Sequence, residues 1–100
     1  MAMMDISVVP VGTGSPSVSE YVAGAVKILQ EQSNITWQLC PMGTVVEGDI
    51  DTLLNLAGRM HRSVLETGAA RVVTTIKIDE RKDKPLTMDG KLQAVKSKLK

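Results

Sequence analysis

The stretch "ITWQLCPMGTVVEG", residues 35–48, decides the fold. Its first part alternates in the manner of a β-strand, with Trp37 and Leu39 on the same side. Pro41 carries no backbone N–H, so it cannot continue a strand ladder and should end or turn the chain. An extended pattern resumes in "GTVVEG", residues 43–48. The stretch therefore predicts two short strands joined by a sharp turn at Pro41.

Helical patterns lie on both sides of this hairpin. Before it, apolar residues recur at steps of three and four between Val18 and Leu29, and the helix is expected to start near Pro16 or at a Ser17–Glu20 capping box. After it, a second apolar stripe follows a cap at Asp49 or Asp51 and is expected to end before Gly68. Its members are Ile50, Leu53, Leu54, Ala57, Met60 and Val64.

Two further strands and one more helix complete the pattern. In "MDISVVPV", residues 4–11, successive side chains alternate between two faces, and Met4, Ile6 and Val8 share one of them. The side chains of "ARVVTTIKID", residues 70–79, alternate in the same way. A last helix is expected within residues 87–100. Leu92, Val95 and Leu99 form its apolar side.

The resulting order is β-α-β-β-α-β with an additional C-terminal helix. This order predicts a single α+β domain over residues 1–100, with a ferredoxin-like antiparallel sheet and the two main helices on one face. The other face stays open and carries Val9 and Val73 among polar residues, with Met3 as a third candidate. A half-apolar open face predicts self-association, most simply as a dimer or a dimer of dimers.

Composition narrows the classes of protein further. The chain has 43% apolar residues but one Trp, one Tyr and no Phe, so Val, Ile, Leu, Met and Ala must build the core. Cys40 is the single cysteine, which excludes an intrachain disulfide and favours a reducing, cytoplasmic location. The first ten residues lack the pattern of a secretory signal, and no apolar run is long enough to predict a membrane span or a membrane partner.

Charge is distributed unevenly along the chain. Eight of the 12 basic residues but only four of the 11 acidic residues lie in residues 77–100. Such a basic segment can attract nucleic acid, yet a solvated terminal helix explains it better. The fourth strand also lacks the aromatic residues on which RNA-binding modules of this plan stack bases. No nucleic-acid partner is expected.

No catalytic or metal-binding constellation stands out. His61 is the only histidine and lies in the middle of a predicted helix, beside its apolar stripe, and Cys40 is most simply a small buried thiol. The "GTGS" stretch at 12–15 is too short for a dinucleotide fingerprint; it fits an anion-binding loop and a plain helix cap equally well. We therefore expect no enzyme activity, no cofactor and no metal.

The segment "PMGTVVEG", residues 41–48, is the best candidate for binding. Gly43 and Gly48 allow unusual backbone conformations, Thr44 offers a hydroxyl and Glu47 a carboxylate. With the flat ring of Trp37, these groups could hold a planar, partly cationic molecule. The alternative is a bulged hairpin with a surface glutamate.

Three segments together resemble the thiamine-binding protein superfamily, a family of small ferredoxin-like proteins. They are "SVVPVGTGSPSVSEYV" (7–22), "PMGTVVEG" (41–48) and "RVVTTIKIDERKDK" (71–84), and the resemblance covers residues 5 to about 84. It implies a ferredoxin-like fold, homotetramers built from dimers, and binding of thiamine or its hydroxymethylpyrimidine part. It implies no catalysis.

The resemblance also points to particular residues as ligand contacts. The central motif gives Gly43, Thr44 and Glu47. A weaker correspondence adds the loop Thr13–Ser15 and Ser19 or Tyr21. The last motif supplies a charged set that could serve either a subunit interface or a charged ligand group. This set is Arg71, Lys77, Asp79 and Arg81.

Overall fold

The computed structural model describes residues 1–99 and contains four strands and three helices in those residues. The strands are β1 (Ala2–Val11), β2 (Thr36–Cys40), β3 (Gly43–Gly48) and β4 (Arg71–Glu80). The helices are α1 (Ser19–Gln30), α2 (Ile50–Glu66) and α3 (Met88–Lys96).

The four strands form one antiparallel sheet in the order β2-β3-β1-β4. Pro41 and Met42 alone separate β2 from β3, so the predicted hairpin is confirmed. Helices α1 and α2 connect strands that are not neighbours in the sheet. This is the ferredoxin-like α+β fold expected from the sequence.

The alternation of β1 sets the two faces of the sheet. Met4, Ile6 and Val8 are buried and lie on the face covered by α1 and α2. Val9 is exposed and pairs with Val73 of β4, which is also exposed, and both belong to the opposite face. We call that opposite side the open face. Because β3 and β4 keep register with β1, every strand residue can be assigned to a face.

Helix α1 begins later than the sequence predicts. Its first residue is Ser19, and Val18 occupies the N-cap without a side-chain hydrogen bond, so the predicted starts at Pro16 and Ser17 are wrong. The Ser15 hydroxyl instead accepts a hydrogen bond from the Ser17 N–H, at 3.2 Å. This local bond stabilises the loop before the helix and competes with helix formation.

Helix α2 is the main packing helix, and Asp49, one of the two predicted caps, is its N-cap. The Asp49 carboxylate accepts a hydrogen bond from the Asp51 N–H, at 3.2 Å. One member of the predicted stripe is wrong: Leu54 is 49% exposed, while Leu56 is buried in its place. Leu53, Ala57, Met60 and Val64 are buried as predicted, so the stripe as a whole keeps its position on the helix.

Strand β4 forms one edge of the sheet. Its predicted inner residues Ile76 and Ile78 face the helix side, yet they remain 41% and 39% exposed because only α2 reaches over this edge. His61 of α2 crosses to β4, where its Nδ1 lies 2.7 Å from the Thr74 hydroxyl oxygen. His61 thus has a packing role between helix and edge strand.

Helix α3 is shorter than predicted and lies apart from the core. It has no buried residue between Met88 and Lys96, and its predicted apolar side chains Leu92 and Val95 are 45% and 60% exposed. Leu86, just before the helix, is buried and anchors the segment. No helix within residues 1–99 is long and apolar enough to cross a membrane.

The same glycine-to-alanine change should have opposite effects at two positions. Gly68 has φ +116°, so Gly68→Ala forces a side chain into left-handed backbone and should lower the free energy of unfolding by about 1 kcal/mol. Gly24 is helical, and an added Cβ would meet nothing closer than 4.0 Å, so Gly24→Ala should raise it by about 0.5–1 kcal/mol.

Urea unfolding of both variants beside the wild type measures the two effects. A Gly68→Ala protein as stable as wild type would contradict the assignment of Gly68 as the residue that ends α2.

Candidate functional site

The predicted site residues divide between the two faces of the sheet. Thr44 pairs with Ile6 on the helix side, whereas Glu47 pairs with Met3 on the open face. The two residues are three positions apart in an extended strand, so their side chains must point in opposite directions. The structure does not bring Glu47 together with Thr44 at one pocket.

On the helix side, a cavity lies between α1 and the β2–β3 hairpin; we call it the inner cavity. It measures about 330 Å³, at the lower end of the usual range for small-molecule sites, about 300–1,000 Å³. Gly43 and Thr44 line it, and so does Val18 at the uncapped start of α1. Most of its lining is aliphatic.

Thr44 is the polar residue most deeply placed in this lining. It is 3% exposed, and its hydroxyl takes part in no side-chain hydrogen bond among residues 1–99. No fully buried polar side-chain atom of those residues is left unpaired. The Thr44 hydroxyl oxygen therefore keeps some exposed area, and because Thr44 lines the inner cavity, the hydroxyl is available there to a ligand or to water.

Gly43 is required at the mouth of the inner cavity by close packing. A Cβ on this residue would lie 3.0 Å from an Asp5 carboxylate oxygen and 3.1 Å from the backbone oxygen of Ile6. The backbone oxygen cannot move aside without disturbing the β1–β3 pairing. Glycine at this position therefore fixes the hairpin tightly against β1 and places Thr44 next to it.

A second cavity adjoins the first at the edge of the sheet; we call it the edge cavity. It measures about 530 Å³ and lies between α1 and β2, lined by Trp37, Ser19 and Lys27 among others. Val22, Val26 and Leu39 line both cavities. Trp37 and Thr44 share a face, and the two cavities form neighbouring parts of one surface depression.

The remaining predicted contacts line neither cavity. Thr13 and Ser15 lie in the loop before α1, where the Thr13 hydroxyl donates to the Ser15 carbonyl at 2.9 Å. Tyr21 is half-buried and packs against the hydrophobic core. The "GTGS" loop ends four residues before α1, so its amides do not form the helix start. Gly43, Thr44, Ser19 and Trp37 are the predicted residues brought together.

Glu47 is buried but has a partner within the chain. It is 9% exposed, and its Oε2 accepts a hydrogen bond from the Met88 N–H at 2.8 Å. A carboxylate at the first turn of a helix satisfies a free N–H and interacts favourably with the helix dipole. Glu47 therefore holds the start of α3 against the open face.

The charged set from the last motif lies on or near the same face as Glu47. Asp79 accepts from the Lys91 ammonium at 2.6 Å, which ties α3 to β4. Arg81 pairs with Asp83 through two hydrogen bonds, and this pairing lowers the pKa of the Asp83 carboxyl below its ordinary value. Lys77 lies opposite Asp5 across the β1–β4 pair. Arg71 is exposed at the start of β4.

Sequence reasoning missed most of the residues that line the depression, among them Cys40 and Lys27. Cys40 lines the inner cavity and is only half-buried, whereas the sequence favours a buried thiol. Lys27 lines the edge cavity from the outer side of α1. Helical spacing could have placed Lys27 near Ala23 and Gln30, but not beside β2. Within residues 1–99, no cluster of three or more potential metal ligands is present.

Comparison with known proteins identifies the family. The ferredoxin-like fold is shared with the solved structure of protein MJ1052 from Methanocaldococcus jannaschii, with a TM-score of 0.88, 39% identity and coverage of 95% of each chain. The model of the thiamine-binding protein family matches residues 4–96. The chain belongs to this family.

One further relative supports this assignment, and a more distant solved structure shares the fold. UPF0045 protein YqgV of Bacillus subtilis is 40% identical over 99% of this chain and 98% of its own length. A Thermotoga maritima protein, TM0486, described as a candidate thiamine biosynthesis or salvage protein, has a TM-score of 0.78 at 22% identity, covering 94% of this chain and 97% of its own. At that identity the likeness establishes the fold only.

Removal of the Glu47 carboxylate should loosen α3 specifically. Glu47→Ala leaves the Met88 N–H without its acceptor, and the free energy of unfolding should fall by about 1–3 kcal/mol. Hydrogen exchange at the first turn of α3 should accelerate, while exchange in β1 changes only with global stability. Glu47→Gln keeps an acceptor and is the matched control. Unchanged α3 exchange in Glu47→Ala would contradict the capping role.

Proposed function

We propose that the protein is a non-catalytic binding protein for a thiamine-like molecule, and that the inner cavity receives the pyrimidine part. The observation that carries this proposal is Thr44, a nearly buried residue that lines the inner cavity and whose hydroxyl makes no side-chain hydrogen bond within residues 1–99. An aminopyrimidine offers hydrogen-bond donors and acceptors around a flat apolar ring, which matches an aliphatic cavity with few polar groups.

Membership in the thiamine-binding protein family supports the ligand class. The description of TM0486 as a candidate for thiamine biosynthesis or salvage points in the same direction for that protein. Gly43 and Thr44 are the motif residues that serve the site, with Ser19 and Trp37 on its outer side. Glu47 serves indirectly by holding α3. We place the protein in the cytoplasm, where its single thiol stays reduced.

Calorimetric titration with thiamine and with hydroxymethylpyrimidine tests this function. Thr44→Val keeps the shape of the side chain and removes the hydroxyl, so the affinity should fall about three- to tenfold while the fold remains stable. Thr75→Val, on the open face of β4, is the matched control and should bind as wild type does. Absence of wild-type binding at millimolar concentrations of both compounds would refute the proposal.

A second candidate function is that of a structural or regulatory homo-oligomer. The open face favours it, since Val9 and Val73 pair there and are 43% and 46% exposed. Asp5 and Lys77 are also adjacent on this face, so two copies related by a two-fold axis can match each acid with the partner's base. We propose that copies associate through this face, whether or not a ligand is bound.

Sedimentation of a charged variant tests the association. Val73→Glu should shift the protein toward monomer at micromolar concentration, because an unpaired carboxylate would be desolvated at the interface. Leu65→Glu, at an exposed position of α2, adds the same charge elsewhere and should leave the mass unchanged. A wild-type protein that sediments as a monomer would refute the interface.

A further inference from the structure

The two cavities of the surface depression differ in charge. The inner cavity is lined by no Asp, Glu, His, Lys or Arg; its polar side chains are Ser7, Cys40 and Thr44. An ionised group placed there would lose hydration without gaining a partner of opposite charge. The inner cavity therefore suits an uncharged ring and disfavours both cations and anions.

The edge cavity carries a single ionised side chain, that of Lys27. Lys27 forms no ion pair within residues 1–99. Ser19 and Gln30 lie in the same lining and add neutral hydrogen-bond donors. Because Val22, Val26 and Leu39 border both cavities, the inner cavity adjoins the cavity that Lys27 lines.

We propose that the preferred ligand is a phosphate monoester of a small uncharged aromatic alcohol. The ring occupies the inner cavity with Thr44, and the phosphate lies in the edge cavity beside Lys27. A phosphate monoester carries about −1.5 to −2 charges at neutral pH and bonds well to a lysine ammonium. This inference rests on the proposed function and chooses among thiamine-like ligands.

The same charges act against intact thiamine. Its thiazolium carries a fixed positive charge, which finds no acid in the inner cavity and a like charge in the edge cavity. Trp37 offers a ring face to a cation, but it shares the edge cavity with Lys27. The expected order of affinity is therefore the pyrimidine phosphate ester first, the free pyrimidine alcohol second and thiamine third.

The experiment is calorimetric titration of the full chain with four probes: hydroxymethylpyrimidine, its phosphate monoester, thiamine and inorganic phosphate. Wild type should bind the monoester about fivefold more tightly than the alcohol, the effect of one exposed charge pair. Inorganic phosphate alone should bind far more weakly, since it leaves the inner cavity unfilled. The monoester preference should shrink as salt is added.

A charge-reversal variant supplies the sharper test. Lys27→Glu should remove or invert the preference for the monoester and improve binding of thiamine relative to wild type. Lys96→Glu on α3 changes the net charge equally, away from both cavities, and should keep the wild-type order.

Each other outcome overturns the inference in a distinguishable way. Equal binding of alcohol and monoester, or tightest binding of thiamine, would refute the phosphate subsite and leave the proposed function standing. Equal binding of monoester and inorganic phosphate would show that the ring is not recognised. Binding of none of the organic probes would remove the proposed function, and this inference with it.

Discussion

The alternation of side chains along β3 is the constraint on which the site depends. An extended strand sends successive residues to opposite faces, so Thr44 and Val46 meet the helices while Val45 and Glu47 meet the open face. Register with β1 leaves no freedom in this assignment, because a shift of β3 by one residue would move Val46 out of the core. One short motif thereby supplies two separate structural functions, a cavity wall and a helix anchor.

Most of the fold follows from local pattern. The hairpin around Pro41, the faces of β1 and the cap at Asp49 all depend on residues close together in the chain, and each agrees with its sequence signal. The start of α1 is different, because Ser15 and Ser17 bond to each other in a loop turn although both are suitable helix caps. The exposed position of Ile76 depends on how far α2 extends over the sheet edge, which periodicity does not encode.

The site was predictable only in part, for the same reason. Motif and spacing identify Gly43, Thr44 and Trp37 as neighbours on two paired strands. They also favour Glu47 as a ligand contact, because a carboxylate close to a hydroxyl in sequence suggests a shared task. Glu47 and Met88 are 41 residues apart in the chain, so no local sequence pattern predicts their contact. The position of Lys27 beside β2 likewise depends on how α1 packs across the sheet.

Strand β1 is longer than β3, the strand that pairs with it on one side. Its pairing with β3 extends only to Ile6, whereas its pairing with β4 continues to Val11. Residues 7–11 thus project past the hairpin as a two-stranded ribbon, and Ser7, Val8 and Val9 line the inner cavity. The inner cavity lies where β3 has no residues to pair with this part of β1. An extension of β3 by a few residues would fill this space without disturbing the core, so related chains with a longer hairpin should keep the architecture and lack the inner cavity.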